Sequence, residues 1–144
     1  MRSETETLFV ERPPAEVFEW VADHRNVKRV LDGVQRWEAS GEPGVGTRYQ
    51  VRIGALGLGL GATLELTEWR PNQAIAWRSE RGPLPVAGSW HFKAAREGTQ
   101  VEFTMAYEAP YGILGRFAGQ RLEGLLRNRI RAALRRMKRE IEEA

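Results

Sequence analysis

Two histidines, His24 and His91, are the residues of this chain best suited to proton transfer or metal binding near neutral pH. Their placement argues against both. They fall on different predicted elements, without the short spacings that metal ligation uses. His24 follows Asp23 at the end of a first predicted helix, and His91 alternates with Trp90 and Phe92, which turns it outward from a sheet. No Gly-x-Ser-x-Gly elbow or comparable nucleophile motif accompanies either one. Glu65 and Glu68 share a predicted strand, where a spacing of three sends them to opposite faces, so they form no acid–base pair. The run Gly54-Ala55-Leu56-Gly57-Leu58-Gly59-Leu60-Gly61 lacks Gly-x-Gly-x-x-Gly spacing and precedes a strand, not a helix N-terminus. Its alternation puts Gly57, Gly59 and Gly61 on one face, as suits a sharply bent strand or a close approach to its backbone. No catalytic residue and no cofactor are expected from this inventory, and with no cysteine there is no thiolate metal site.

A few polar groups lie on otherwise apolar faces. Tyr49 and Tyr107 carry hydroxyls that need partners if buried. Arg129 borders an apolar helical stripe, where its guanidinium either meets an acidic head group inside a pocket or snorkels to the surface. Trp90, Phe92, Phe103, Met105 and Tyr107 converge on one sheet face, as core or as cavity wall.

The elements that must position these groups follow from periodicity. A first strand over Glu4–Arg12 stops at Pro13-Pro14, a helix over Ala15–Ala22 turns Val17, Phe18 and Val21 to one side, and a short helix covers Asn26–Leu31 before Asp32-Gly33. Strands are predicted over Val34–Ser40, Thr47–Ile53, Leu58–Trp69, Ala74–Ser79, Val86–Ala94 and Gln100–Glu108, with turns at Glu42-Pro43-Gly44, Pro71-Asn72 and Glu97-Gly98 and a loop at Gly82-Pro83-Leu84-Pro85. Tyr49, Val51 and Ile53 share one face, as do Leu58, Leu60, Ala62, Leu64 and Leu66. Ala109-Pro110 precedes one long amphipathic helix, Tyr111–Glu142, with Leu122, Leu126, Ile130, Leu134, Met137 and Ile141 at spacings of three and four. Thirty-two residues of helix span ~48 Å, whereas six or seven strands side by side span about 30 Å. The sheet is expected to wrap the helix, or the helix to bend near Gly115 and Gly119.

Composition agrees with one soluble domain over residues 1–144: 42% apolar, 28% charged, net charge +3 and no apolar run long enough for a bilayer. The polar, acidic start Met1–Glu6 is not that of a signal peptide, and the expected location is cytoplasmic. Residues 111–144 carry nine basic and four acidic groups, and the simplest reading is a solvated face with cations near the helix C-terminus. No basic–aromatic interleaving suggests nucleic acid, and no stable membrane insertion is expected. A homodimer stays open.

The order of elements, with Arg12-Pro13-Pro14-Ala15-Glu16-Val17-Phe18, Val45-Gly46-Thr47-Arg48-Tyr49, Thr67-Glu68-Trp69-Arg70-Pro71, Gly88-Ser89-Trp90-His91-Phe92 and Gly98-Thr99-Gln100-Val101, resembles the START/SRPBCC superfamily in its polyketide cyclase/dehydrase-like branch. The resemblance covers nearly the whole chain. It implies an α+β helix-grip fold, a curved antiparallel sheet of six to seven strands around the C-terminal helix with two short helices after the first strand. It also implies an internal cavity for a lipid, sterol or polyketide-like molecule. Tyr49, Val51, Leu64, Leu66, Trp90, Phe92, Phe103, Met105, Tyr107, Leu122, Leu126 and Arg129 are the expected ligand-binding residues. Binding or transport is the first functional reading, a cyclase or dehydratase in the same cavity the second, and a partner-docking module the third. A quinone-binding branch is disfavoured, because residues 27–33 lack its Phe-x-Pro-Trp-like segment.

Overall fold

A computed structural model describes the backbone of residues 2–55, 58–81, 85–108 and 112–144, and the side chains of these except residues 2, 55, 58 and 112–122. Gly57, the loop at 82–84, the Ala109-Pro110 stop, Tyr111 and the side chain of Leu122 lie outside the described residues. The element order is β1 (Arg2–Val10), α1 (Pro14–Ala22), α2 (His24–Val30), β2 (Val34–Ala39), β3 (Arg48–Ala55), β4 (Leu58–Arg70), β5 (Ala74–Arg81), β6 (Val86–Ala95), β7 (Gly98–Tyr107) and α3 (Gly112–Glu143).

The described strands form one antiparallel sheet in the order β1-β7-β6-β5-β4-β3-β2. Hairpins join β2 through β7, each strand beside the next. The exception is β1, which pairs with β7, so that β1 and β2 are neighbours in sequence but opposite edges in space. The α1–α2 link therefore has to cross from one edge to the other. With α3 it covers the inner face of a curled sheet, the helix-grip arrangement. Register shifts between Val34 and Arg36, Thr63 and Leu64, and Leu66 and Glu68 supply bulges, each adding local twist and bend. The bulge at Thr67 also resets the alternation of β4. Leu66 and Trp69 both turn inward, and Glu65 and Glu68 lie together on the outer face, opposite Arg78 and Ala76, not on opposite faces as strict alternation predicts.

α1 begins with Pro14, whose fixed φ suits a first helical position. Its buried residues are Val17, Phe18 and Val21. Asp23 ends α1 and caps α2 by accepting a hydrogen bond from the Arg25 amide at 3.0 Å, which starts α2 at His24, earlier than the predicted Asn26. Gly33, at φ +86°, turns the chain from α2 into β2 in a conformation that side-chain-bearing residues rarely adopt. In α3 the buried stripe is Ile130, Leu134, Met137 and Ile141. No helix among the described residues is long and apolar enough to cross a membrane.

The polar side of α3 is engaged, not merely solvated. Arg127 pairs with Glu4 and Arg131 with Glu6 on β1, while Arg136 reaches Asp32 and the Val30 carbonyl. Arg29 of α2 pairs with Glu140. Much of the helix's positive charge is thus matched within the chain.

Candidate functional site

Between the inner sheet face and the helices lie three adjoining apolar hollows. One of about 160 Å³ is bordered by β3–β7 and by Leu125, Leu126 and Arg129 of α3. A second, of about 100 Å³, reaches from Met105 and Phe103 to Ile130, Leu134 and Met137. A third, of about 50 Å³, lies under the α1–α2 turn beside His24 and Tyr49. The first two share Val51, Ile53, Leu64, Trp77 and Met105; the second and third share Val27, Trp37, Leu64, Trp77 and Trp90. Joined, they approach the lower end of the ~300–1,000 Å³ that enclose a drug-sized ligand.

The expected ligand-binding residues distribute among these compartments. Val51, Leu64 and Met105 line the two larger ones, and Leu64 reaches all three. Phe103 and Trp90 form the wall of the middle one, Tyr49 and Leu66 that of the smallest. Tyr107, Leu126 and Arg129 border the largest. Phe92 lines none of the three. The α1 residue Phe18 packs against it edge-on at 5.8 Å, and the Trp90 ring stacks over it at 6.3 Å, so it is core.

Arg129 is half-buried and bonds to backbone, an outcome between the two that the sequence left open. Its chain borders the largest compartment while its Nη1 donates to the Gly54 carbonyl oxygen at 2.8 Å, anchoring α3 to the end of β3. Tyr107 borders the same compartment, its side chain buried.

Two residues that periodicity passed over prove central. Trp77 borders all three compartments. Its inward position follows from plain alternation with Ile75 in β5, so the pattern for finding it was present. Trp37, likewise, faces inward from β2 and meets both His24 and Tyr49. His24 had no comparable pattern. Its ring lies 6.2 Å from Trp37, nearly parallel, and 5.4 Å from Tyr49, an arrangement created by the crossing of α1–α2 over the sheet. Burial, only partly offset by Asp23, holds the His24 imidazole below its ordinary pKa. Burial, reinforced by Asp23, raises that of the Tyr49 phenol. Both groups are therefore neutral near pH 7 and able to exchange hydrogen bonds with an uncharged ligand.

A more voluminous hollow, about 260 Å³, opens on the outer sheet face beside Arg36, Arg52 and Arg81. Arg52 lies against Gly59, where a Cβ would come within 2.7 Å of its guanidinium, so the glycine strand makes room for a charged side chain there. That surface is open and cationic. An apolar ligand gains from removal from water, which the inner compartments provide and this open surface does not. The described residues contain no cluster of three or more metal-ligating side chains.

A family model described as polyketide cyclase / dehydrase and lipid transport matches residues 1–142. Among solved structures the chain resembles TTHA0849 from Thermus thermophilus, with 22% identity, TM-score 0.85 and 97% of both chains covered. It resembles the Zhui aromatase/cyclase from a Streptomyces species at 20% identity and TM-score 0.82, covering 98% of this chain and 93% of that one. A Deinococcus radiodurans protein superposes at 20% identity and TM-score 0.75, covering 99% and 98%. At these identities the likeness concerns the fold. No curated protein matches the chain by sequence.

Proposed function

Because the chain belongs to the polyketide cyclase / dehydrase and lipid transport family, we propose that it binds a hydrophobic small molecule, lipid, sterol or polyketide-like, between the curled sheet and α3. In this reading it works in the cytoplasm as a carrier or sensor, without nucleic acid or insertion into a bilayer. The observation that carries the proposal is that three adjoining apolar hollows all border Trp77 and Leu64. Transfer of ligand surface from water into such a space is favourable by roughly 25 cal/mol per Å². Thermal denaturation in the presence of fatty acids, sterols, flavonoids and naphthalene derivatives tests it. A ligand at a hundred times its dissociation constant should add about 2.7 kcal/mol. Absence of any shift across the panel would refute the reading.

Cyclase or dehydratase chemistry is the second reading. It is favoured by Tyr107 and Arg129 bordering one compartment, where a phenol and a guanidinium could steady an enolate oxygen of a folded substrate. Incubation with a poly-β-ketone thioester mimic separates the two readings. Faster formation of one cyclised product than in buffer supports catalysis, and unchanged spontaneous products leave carriage alone.

A further inference from the structure

The smallest compartment differs from the other two in its polar atoms. The Trp37 Nε1 is sealed from solvent and has no hydrogen-bond acceptor among the described residues. The Tyr49 hydroxyl and the His24 imidazole also make no hydrogen bond with a described residue, but unlike the Trp37 Nε1 they are not sealed from solvent. The three rings form a triangle with centroid separations of 6.2, 5.4 and 6.1 Å. Asp23, the nearest carboxylate in sequence, does not serve them. Its oxygens are taken by the amide, Nε and Nη2 of Arg25 at 3.0, 2.9 and 2.8 Å. Buried polar groups are nearly always paired, and leaving one unpaired costs about 1–3 kcal/mol. A sealed, unpaired indole N–H beside two further polar rings, at one end of an otherwise apolar space, is a poor solution for packing alone.

We propose that Trp37, Tyr49 and His24 form a hydrogen-bonding pole that recognises a hydroxyl or carbonyl oxygen at the leading end of an apolar, ring-containing ligand. An indole N–H donates, a phenol donates and accepts, and a neutral imidazole does one at each nitrogen, so one ligand oxygen can satisfy several of them. Trp69, Trp77 and Trp90 surround the same compartment, flat apolar walls suited to a ring that carries such an oxygen. The pole lies at the end opposite Arg129, which borders only the largest of the three hollows. A ligand filling all three would place its oxygen at the pole and its apolar body along α3.

The proposal rests on the cavity reading above, and the test separates the two. Binding of 1-naphthol and of its near-isostere 1-methylnaphthalene is measured by calorimetry on the full chain. Apolar transfer alone favours the methyl compound. The pole predicts that naphthol binds at least threefold tighter, and that Trp37→Phe, Tyr49→Phe and His24→Leu each erase or reverse this preference. Undiminished methylnaphthalene binding shows that a variant is folded. In ¹H–¹⁵N spectra, naphthol should move the indole resonance that Trp37→Phe removes, and methylnaphthalene should move it far less. Tighter binding of the methyl compound to the unaltered protein overturns the pole and leaves the cavity standing. Binding of neither compound overturns the pole, and the cavity reading falls with it only if no member of the panel above stabilises the protein.

Discussion

Gly88 and Trp77 face each other across β5 and β6, and a Cβ built on Gly88 would lie 2.2 Å from the Trp77 ring. The indole occupies the space that a side chain at position 88 would need. Gly88→Ala should therefore drive Trp77 into the compartments it borders, at an overpacking cost of about 1–3 kcal/mol. The expected result is a lower melting temperature, a shifted tryptophan emission and at least tenfold weaker binding of apolar probes. Unchanged affinity would mean that Trp77 moves without narrowing the cavity.

Met137 is 1% exposed and borders the middle compartment from α3. Met137→Ala should lower stability by about 2–5 kcal/mol, because the surrounding helix and sheet refill the space only in part. The same substitution enlarges the compartment, so a bulkier naphthalene derivative should regain some of the lost stability on binding. Denaturant melts with and without the derivative check both effects.

The pH dependence of stability should carry the mark of His24. Burial favours its neutral form, as do Arg25 and Lys28, while Asp23 opposes them. The unfolded imidazole titrates near 6.5 and the folded one lower, so as pH falls through that window the unfolded state takes up the proton first. Stability must drop there. Glu4, held low by Arg127, and Glu142, held low by Lys138, keep their contributions until the pH falls below about 4.5. Between pH 7 and pH 5 the denaturation midpoint of the unaltered protein should fall more than that of His24→Leu. Equal falls would assign the loss to other groups.

Glu142 joins the last turn of α3 to the end of β1. It accepts hydrogen bonds from the Glu11 amide and from Lys138, both at 2.8 Å. Glu142→Ala should free the Glu11 amide to exchange with solvent at least tenfold faster while leaving amides in β4 unchanged. Uniform acceleration across the sheet would indicate global destabilisation instead.

Elements governed by local pattern were readable in the sequence. The alternation of Tyr49, Val51 and Ile53, the proline start of α1 and the three-four spacing of α3 each depend on near neighbours, and each stands with shifts of a residue or two. Features created by distant pairing were not. The bulge at Thr67 brings Glu65 and Glu68 to one face, and nothing between residues 58 and 70 announces it. The meeting of His24 with Tyr49 requires α1–α2 to cross the sheet, which depends on which strand β1 chooses. Trp77 is a different case. Alternation in β5 pointed it inward, and its importance became visible only when the hollows on either side of it had volumes.

The pairing of β1 with β7 also has a consequence during synthesis. Thr5 meets Thr104 across the sheet, a partner made 99 residues later. At ~5–20 residues per second, the first strand leaves the ribosome some 5–20 s before anything exists for it to bond to. Its alternating Glu4, Thr5, Glu6 and Thr7 keep that waiting edge polar, a composition that discourages β1 from adhering to other nascent chains before its own C-terminal half arrives.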